Sequence, residues 1–162
     1  MTEPVQPPPA IDTQWRPAGP SGPRAGFWRR FLALLIDSII VGIAGGVLVG
    51  IGGALDSNAL IGIGYAVWLI GFAVYEIYFH GGPSGQTVGK RALGIRVIDF
   101  ASGGPIGYGR ATIRWLGRII SGLFCYLGYL WMLWDQEKQT WHDKMANDVV
   151  VPTQYYPVEH WP

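Results

Sequence analysis

Two long apolar stretches dominate the pattern of the chain. The first runs from about Phe27 to Leu55, and Asp37 is its only charge beyond Arg30. The second runs from about Ala59 to Phe79, with Glu76 near its end. At about 1.5 Å of rise per residue, each is long enough to cross a hydrocarbon core of about 30 Å. The break between them, Asp56-Ser57-Asn58, is too short for anything but an antiparallel pair. Beyond Phe79 the pattern turns polar and glycine-rich. His80 to Gly85 reads as a loop and Gln86 to Leu93 as a short amphipathic helix on the membrane surface. Ile95 to Phe100 reads as a strand and Gly103-Gly104-Pro105 as a turn. A third apolar segment covers Trp115 to Trp134, and Arg110, Arg114 and Arg118 lead into it four residues apart, on one helix face. Its uncharged part, from Ile119, is marginal for a straight span.

These elements predict an all-α membrane protein: an antiparallel transmembrane helical hairpin plus a third apolar helix, either spanning or re-entrant, with short cytoplasmic strands. Residues 1–25 carry seven prolines, Pro4, Pro7, Pro8, Pro9, Pro17, Pro20 and Pro23, and read as a disordered tail. Residues 26–153 form the membrane domain and 154–162 a C-terminal tail.

The polar stretch has an internal echo. Gln86-Thr87-Val88-Gly89-Lys90-Arg91 leading into Ile95-Arg96-Val97-Ile98 resembles Gln139-Thr140-Trp141-His142-Asp143-Lys144 leading into Asp148-Val149-Val150-Val151. Each copy reads as a basic helical turn or two followed by a β-branched strand. If the two strands pair, they lie on one side, and the third apolar segment enters and leaves by the same face. The alternative is a full third span.

Charge adds direction. Only 14% of the chain is charged, against about a quarter in soluble domains. The net charge of +1 gives no field for nucleic acid. Arg24, Arg29 and Arg30 precede the first span, and Lys90, Arg91, Arg96, Arg110 and Arg114 follow the second; the link has no cation. The positive-inside rule puts the N-terminus and both hairpin ends in the cytoplasm, in a multi-pass arrangement. Lys90, Arg91, Arg110 and Arg114 are then candidates for lipid headgroups. Gly42, Gly46 and Gly50 form a small-residue ridge that suits helix packing, within the hairpin or in a homo-oligomer. The Pro-rich tail suits a protein partner that reads polyproline. Cys125, the sole cysteine, excludes an internal disulfide and reads as a small buried side chain. No metal, cofactor or enzyme motif is present; His142-Asp143 has no accompanying nucleophile, and neighbouring side chains point apart.

The candidate chemistry lies in ionisable groups inside apolar segments, which are costly unless paired. Arg30 and Asp37 are seven residues apart, so two helical turns put them on nearly one face. Reflection through the link puts Asp37 level with Glu76. Facing carboxylates would share a proton, hold a cation, or bind an arginine such as Arg118 or Arg30. The first two point to ion coupling and the third to a clamp.

Three stretches resemble a known family. Arg30-Phe31-Leu32-Ala33-Leu34-Leu35-Ile36-Asp37 is similar to the opening signature of the RDD family of bacterial membrane proteins, named for an arginine and two aspartates. Gly85 to Val97 resembles its GxTxGKRxxGxxV stretch. Trp141 to Ala146 with Val149-Val150-Val151 resembles its closing HDxxA…VV stretch, though Asn147-Asp148 stands where Gly-Thr is expected. The resemblance covers about residues 26–152 and implies Arg30 and Asp37 as the first two name residues, with Asp143 or Asp135 as the third. It implies a bacterial plasma membrane location. Transport of a ligand, or sodium–proton exchange, is what has been proposed for the family.

Overall fold

The protein is described by a computed structural model covering residues 21–124 and 126–158. Helix α1 spans Phe27–Ala54 and α2 spans Asn58–Gly81. At 28 and 24 residues they are about 42 and 36 Å long. Both are long and apolar enough to cross a membrane. Asp56 ends α1 with a positive φ of 50°, and the Ser57 hydroxyl caps α2 by accepting from the Leu60 N–H at 3.4 Å.

The two helices pack along their length through glycines. A Cβ at Gly45 would stand 2.6 Å from the Trp68 Cβ, and one at Gly52 would stand 2.7 Å from the Ile61 nitrogen. Gly64 meets Val49 in the same way. Lower down, Asp37 meets Tyr75. Contacts therefore descend α1 as they ascend α2. Within the hairpin the ridge of Gly42, Gly46 and Gly50 is not used: nothing lies within 4 Å of a Cβ at any of the three. The buried row of α1 is Ala33, Asp37, Val41, Gly45 and Gly52, and the expected ridge lies beside it, turned away from α2.

After α2 the chain forms α3 (Val88–Ala92), β1 (Ile95–Asp99) and α4 (Gly107–Leu123). It continues through α5 (Leu127–Leu130), a single tighter turn at Trp131–Leu133, α6 (Trp141–Ala146) and β2 (Asp148–Pro152). The two strands pair antiparallel, with Val97 opposite Val150. Ile95, Val97 and Val150 pack with Ala25, Ala33, Ile106 and Ala111; Ile98, Val149 and Val151 pack on the other face with Tyr156. Side chains alternate across the pleat, and helices and tail cover both faces.

The echo in the sequence is an echo in structure. Thr87 caps α3 and Thr140 caps α6. The Gln86 amide donates to the Ile95 carbonyl at 2.9 Å, and the Gln139 amide to the Asp148 carbonyl at 2.7 Å. A left-handed residue closes each helix, Gly94 in one copy and Asn147 in the other. Asparagine tolerates that conformation, which accounts for Asn147 where glycine was expected.

Three expectations need correction. Helix α3 is not a free-standing surface helix: Arg91 and Ala92 are exposed, but Gly89 and Lys90 are buried, and a Cβ at Gly89 would collide with the Ala33 carbonyl and with Asp37. The third apolar segment is not one helix over 115–134. It begins at Gly107, with Ala111, Arg114 and Gly117 on its buried side while Ile113 and Leu116 face out. It ends at Leu123, and the following helical turns run at 112° to it. The tail expected over 1–25 lies outside the described residues up to 20. Its last part is tied down: Arg24 pairs with Glu137 at 2.7 Å and the Ala25 N–H donates to the Val150 carbonyl at 2.9 Å. At the other end, Arg96 donates to the Pro157 carbonyl at 2.7 Å. Cys125 lies outside the described residues.

Candidate functional site

The ionisable groups form three linked nodes where α1, α2 and α4 meet the sheet. In the first, Asp37 is fully buried and meets no arginine among the contacts described. Its Oδ1 accepts from the Gly89 N–H and the Tyr75 hydroxyl, each at 2.7 Å, and its Oδ2 from the Thr87 hydroxyl at 2.6 Å. The Thr87 oxygen in turn caps α3 by accepting from the Lys90 N–H at 3.2 Å. The carboxylate thus pins the start of α3 against α1. The absence of a Cβ at Gly89 permits the approach.

The second node surrounds Glu76. Its Oε2 takes the Arg118 guanidinium and lies 3.2 Å from His80 Nδ1. The Arg118 Nε donates to the Tyr129 hydroxyl at 2.6 Å, and the guanidinium lies 5.6 Å from the Phe72 ring centre. On the far side of His80, Nε2 meets the Lys90 ammonium at 2.6 Å. An ammonium has only protons to offer, so Nε2 accepts and Nδ1 carries the proton directed at Glu76. Glu76 and Asp37 therefore hold different partners. Of the readings open from sequence, Glu76 takes the arginine clamp, and the partner is Arg118.

The third node joins Arg30 to Asp143. Arg30 spreads its fork three ways: Nη1 to Asp143 Oδ2 at 2.5 Å, Nη2 to the Lys138 carbonyl at 2.8 Å, and Nε to the Ala25 carbonyl at 3.1 Å. Arg114 bridges Asp143 and Asp148. Asp143 also closes a capping box with Thr140, whose N–H donates to it at 2.9 Å. Burial raises the Asp143 carboxyl, but Arg114 and Arg30 beside it hold it well below the usual range. Asp148, further from Arg30, is pushed up by burial and by the Asp143 charge against the opposing Arg114. Burial and the neighbouring Arg114 and Arg118 lower Lys90 to about 8, against the pull of Glu76 and Asp37. Burial, with Arg114, Arg118 and Arg30 nearby, keeps the His142 ring neutral despite Asp143.

Asp143 is the aspartate that Arg30 reaches. Asp135 instead takes Lys144 and the Glu137 and Gln139 N–H groups. The expected headgroup contacts divide. Lys90 and Arg114 turn inward, Arg110 pairs with Asp99, and Arg91 is exposed. His80, Tyr75, Thr87, Tyr129 and Asp148 complete the nodes, and sequence reasoning did not single them out. His80 had a signal, at one helical turn from Glu76, and Thr87 had one as a cap. Asp148 had none beyond its place at the head of a β-branched run.

A cavity of about 410 Å³ lies against the nodes, within the usual range for small-ligand sites, about 300–1,000 Å³. Four cations line it, Arg30, Lys90, Arg114 and Arg118, and one carboxylate, Glu76. The RDD family pattern matches residues 24–147, from the arginine before α1 to the cap of α6. The chain belongs to the RDD family. Curated relatives include the Proline-rich antigen homolog of Mycobacterium tuberculosis, 35% identical over 56% of this chain. The Proline-rich antigen of Mycobacterium leprae is 34% identical over 52% of it. In each case the match spans 35% of the relative's length, so the chain accounts for about a third of these proteins. The Uncharacterized protein YxaI of Bacillus subtilis is 27% identical over 78% of this chain and 96% of its own length. No solved structure matches. In this RDD protein, Arg30 and Asp143, which the resemblance marks as signature residues, meet in one buried ion pair.

Proposed function

We propose that this RDD protein is a multi-pass protein of the bacterial plasma membrane that binds a small anionic ligand in the cavity beside its ionic nodes, as part of a transport-related activity. α1 and α2 act as an antiparallel transmembrane hairpin with both ends and the sheet in the cytoplasm. The cations flanking the two helices, with none between them, support this orientation. The α4–α5 segment acts as a re-entrant arm. Pairing of β1 with β2 supports this, because the two ends of the segment return to one sheet.

One observation carries the anionic reading: four cations and a single carboxylate line the cavity. The carboxylates Glu76, Asp143 and Asp148 already meet Arg118, Arg30 and Arg114, and Asp37 is filled by three donors. Each of these carboxylates already has a compensating donor, and Lys90 adds positive charge beside the neutral His80 ring. Calorimetry on purified protein is expected to show binding of inorganic phosphate, weakened about tenfold in Arg118→Gln. Sodium-driven proton flux in reconstituted vesicles, abolished by Asp37→Asn and unaccompanied by anion binding, would overturn it.

A second reading is a scaffold or accessory subunit without transport. The row Gly42, Gly46 and Gly50, open along its length, favours it by offering a second helix a close approach. Crosslinking through α1 that recovers no other chain and no second copy counts against that reading.

A further inference from the structure

Part of the cavity lining is apolar. Phe27, Phe31, Leu34 and Leu35 of α1 form it, with Leu130 and Met132 beyond the bend after α4. Phe31 and Leu35 also begin a row that continues through Ile39, Ile43 and Val47, four residues apart and so along one flank of the helix. All five are between 46% and 62% exposed. On a helix in a bilayer this flank meets acyl chains. The cavity rim at Phe31 and Leu35 is therefore continuous with a lipid-facing track.

The cavity lining also carries unsatisfied hydrogen-bonding groups. Three deeply buried polar atoms on lining residues have no hydrogen-bond partner among the described residues: Glu76 Oε1, Arg114 Nε and His142 Nδ1. Arg114 Nε is a donor in need of an acceptor, and Glu76 Oε1 is an acceptor in need of a donor. A phosphate oxygen answers the first and a hydroxyl answers the second. Buried polar groups are rarely left without partners, so a ligand carrying both features completes the lining.

We propose that the cavity holds the headgroup of an anionic phospholipid with a hydroxylated head, of the phosphatidylglycerol type, with an acyl chain lying along Phe31, Leu35 and Ile39. The inference rests on the anion-binding reading above and names its ligand class. The phosphate lies among Arg30, Arg114 and Arg118, and a glycerol hydroxyl donates to Glu76 Oε1. The chain leaves over the rim into the bilayer. A choline head fits worse: its quaternary ammonium has no proton for Glu76 and brings positive charge among four cations. Free phosphate meets the guanidinium groups but leaves the apolar wall against water.

The test places the full chain in nanodiscs of phosphatidylcholine with phosphatidylglycerol as the minor lipid, and native mass spectrometry counts the lipids retained. Phosphatidylglycerol is expected to be retained about tenfold over phosphatidylcholine. Arg118→Gln and Ser38→Phe should each abolish the preference. Ser38 lines the cavity without an ion pair, so its variant blocks the site while leaving the charge nodes intact. Arg29 is exposed and does not line the cavity, and Arg29→Gln should leave retention unchanged. Equal loss in Arg29→Gln would assign retention to general surface charge and overturn the proposal. Binding of inorganic phosphate with no lipid preference overturns the phospholipid but leaves the anion reading standing. Absence of both overturns the two together.

Discussion

Asp37→Asn separates a structural carboxylate from an ion-coupling one. Three donors converge on the side chain, the Gly89 N–H and Tyr75 hydroxyl on Oδ1 and the Thr87 hydroxyl on Oδ2. Asparagine keeps one carbonyl oxygen, which serves Gly89 and Tyr75 as a neutral acceptor. Its amide then faces the Thr87 oxygen, which already accepts from the Lys90 N–H. Two charge-assisted bonds become neutral, each losing about 1 kcal/mol, and the third is lost or reversed at about 1.5–3 kcal/mol. Removing the buried charge returns part of this, so the net loss is about 2–4 kcal/mol. The assay is unfolding in sodium dodecyl sulfate followed by circular dichroism, with hydrogen exchange at the Gly89 amide as the local probe. The midpoint is expected to fall and Gly89 to exchange faster. An unchanged midpoint with unchanged Gly89 protection refutes the reasoning. So does a variant with intact protection that has lost a sodium or proton flux.

Three further outcomes are expected. Gly45→Leu should weaken the α1–α2 pair by about 3 kcal/mol through overpacking against Trp68 and Gly64, whereas Gly46→Leu, which faces open space, should leave the unfolding midpoint alone. Arg30→Lys should lose about 2–3 kcal/mol, because one ammonium cannot reach Asp143, Lys138 and Ala25 together; full stability in that variant contradicts the three-way fork. For Lys90 the folded pKa is about 8 and the ordinary value 10.5. Between them the unfolded chain holds the proton that the folded chain has shed, so this contribution to stability rises with pH across that window. Lys90→Met should remove the rise, and identical pH profiles for the two proteins would show that the buried ammonium carries no cost.

Much of the scaffold was legible. Hydropathy and helix length are local properties, and they located α1 and α2 to within about two residues, the usual uncertainty at helix ends. The strand segments and the echo around Gln86 and Gln139 were also local, since each copy carries its own cap, turn and β-branched run. The ends of the third segment were not legible. An arginine-bearing first half looks polar to a hydropathy window, and the aspartates of α6 and β2 that compensate its buried Arg114 lie far along the chain. The choice of packing face on α1 was missed for a related reason. Gly42, Gly46 and Gly50 fit the small-residue spacing as well as Gly45 and Gly52 do, and the spacing does not say which face meets a partner.

The sequence by itself determined that two apolar helices carry ionisable groups near one end, and it named Arg30, Asp37, Glu76, Arg118 and Asp143 as the groups to examine. The tertiary structure alone decided how they pair. Arg30 reaches Asp143 across 113 residues of chain, and Asp37 meets Gly89 rather than an arginine. A buried charge accepts whichever compensating group the packed helices bring within about 3 Å. That distance is set by contacts far apart in the chain, and no local pattern contains it.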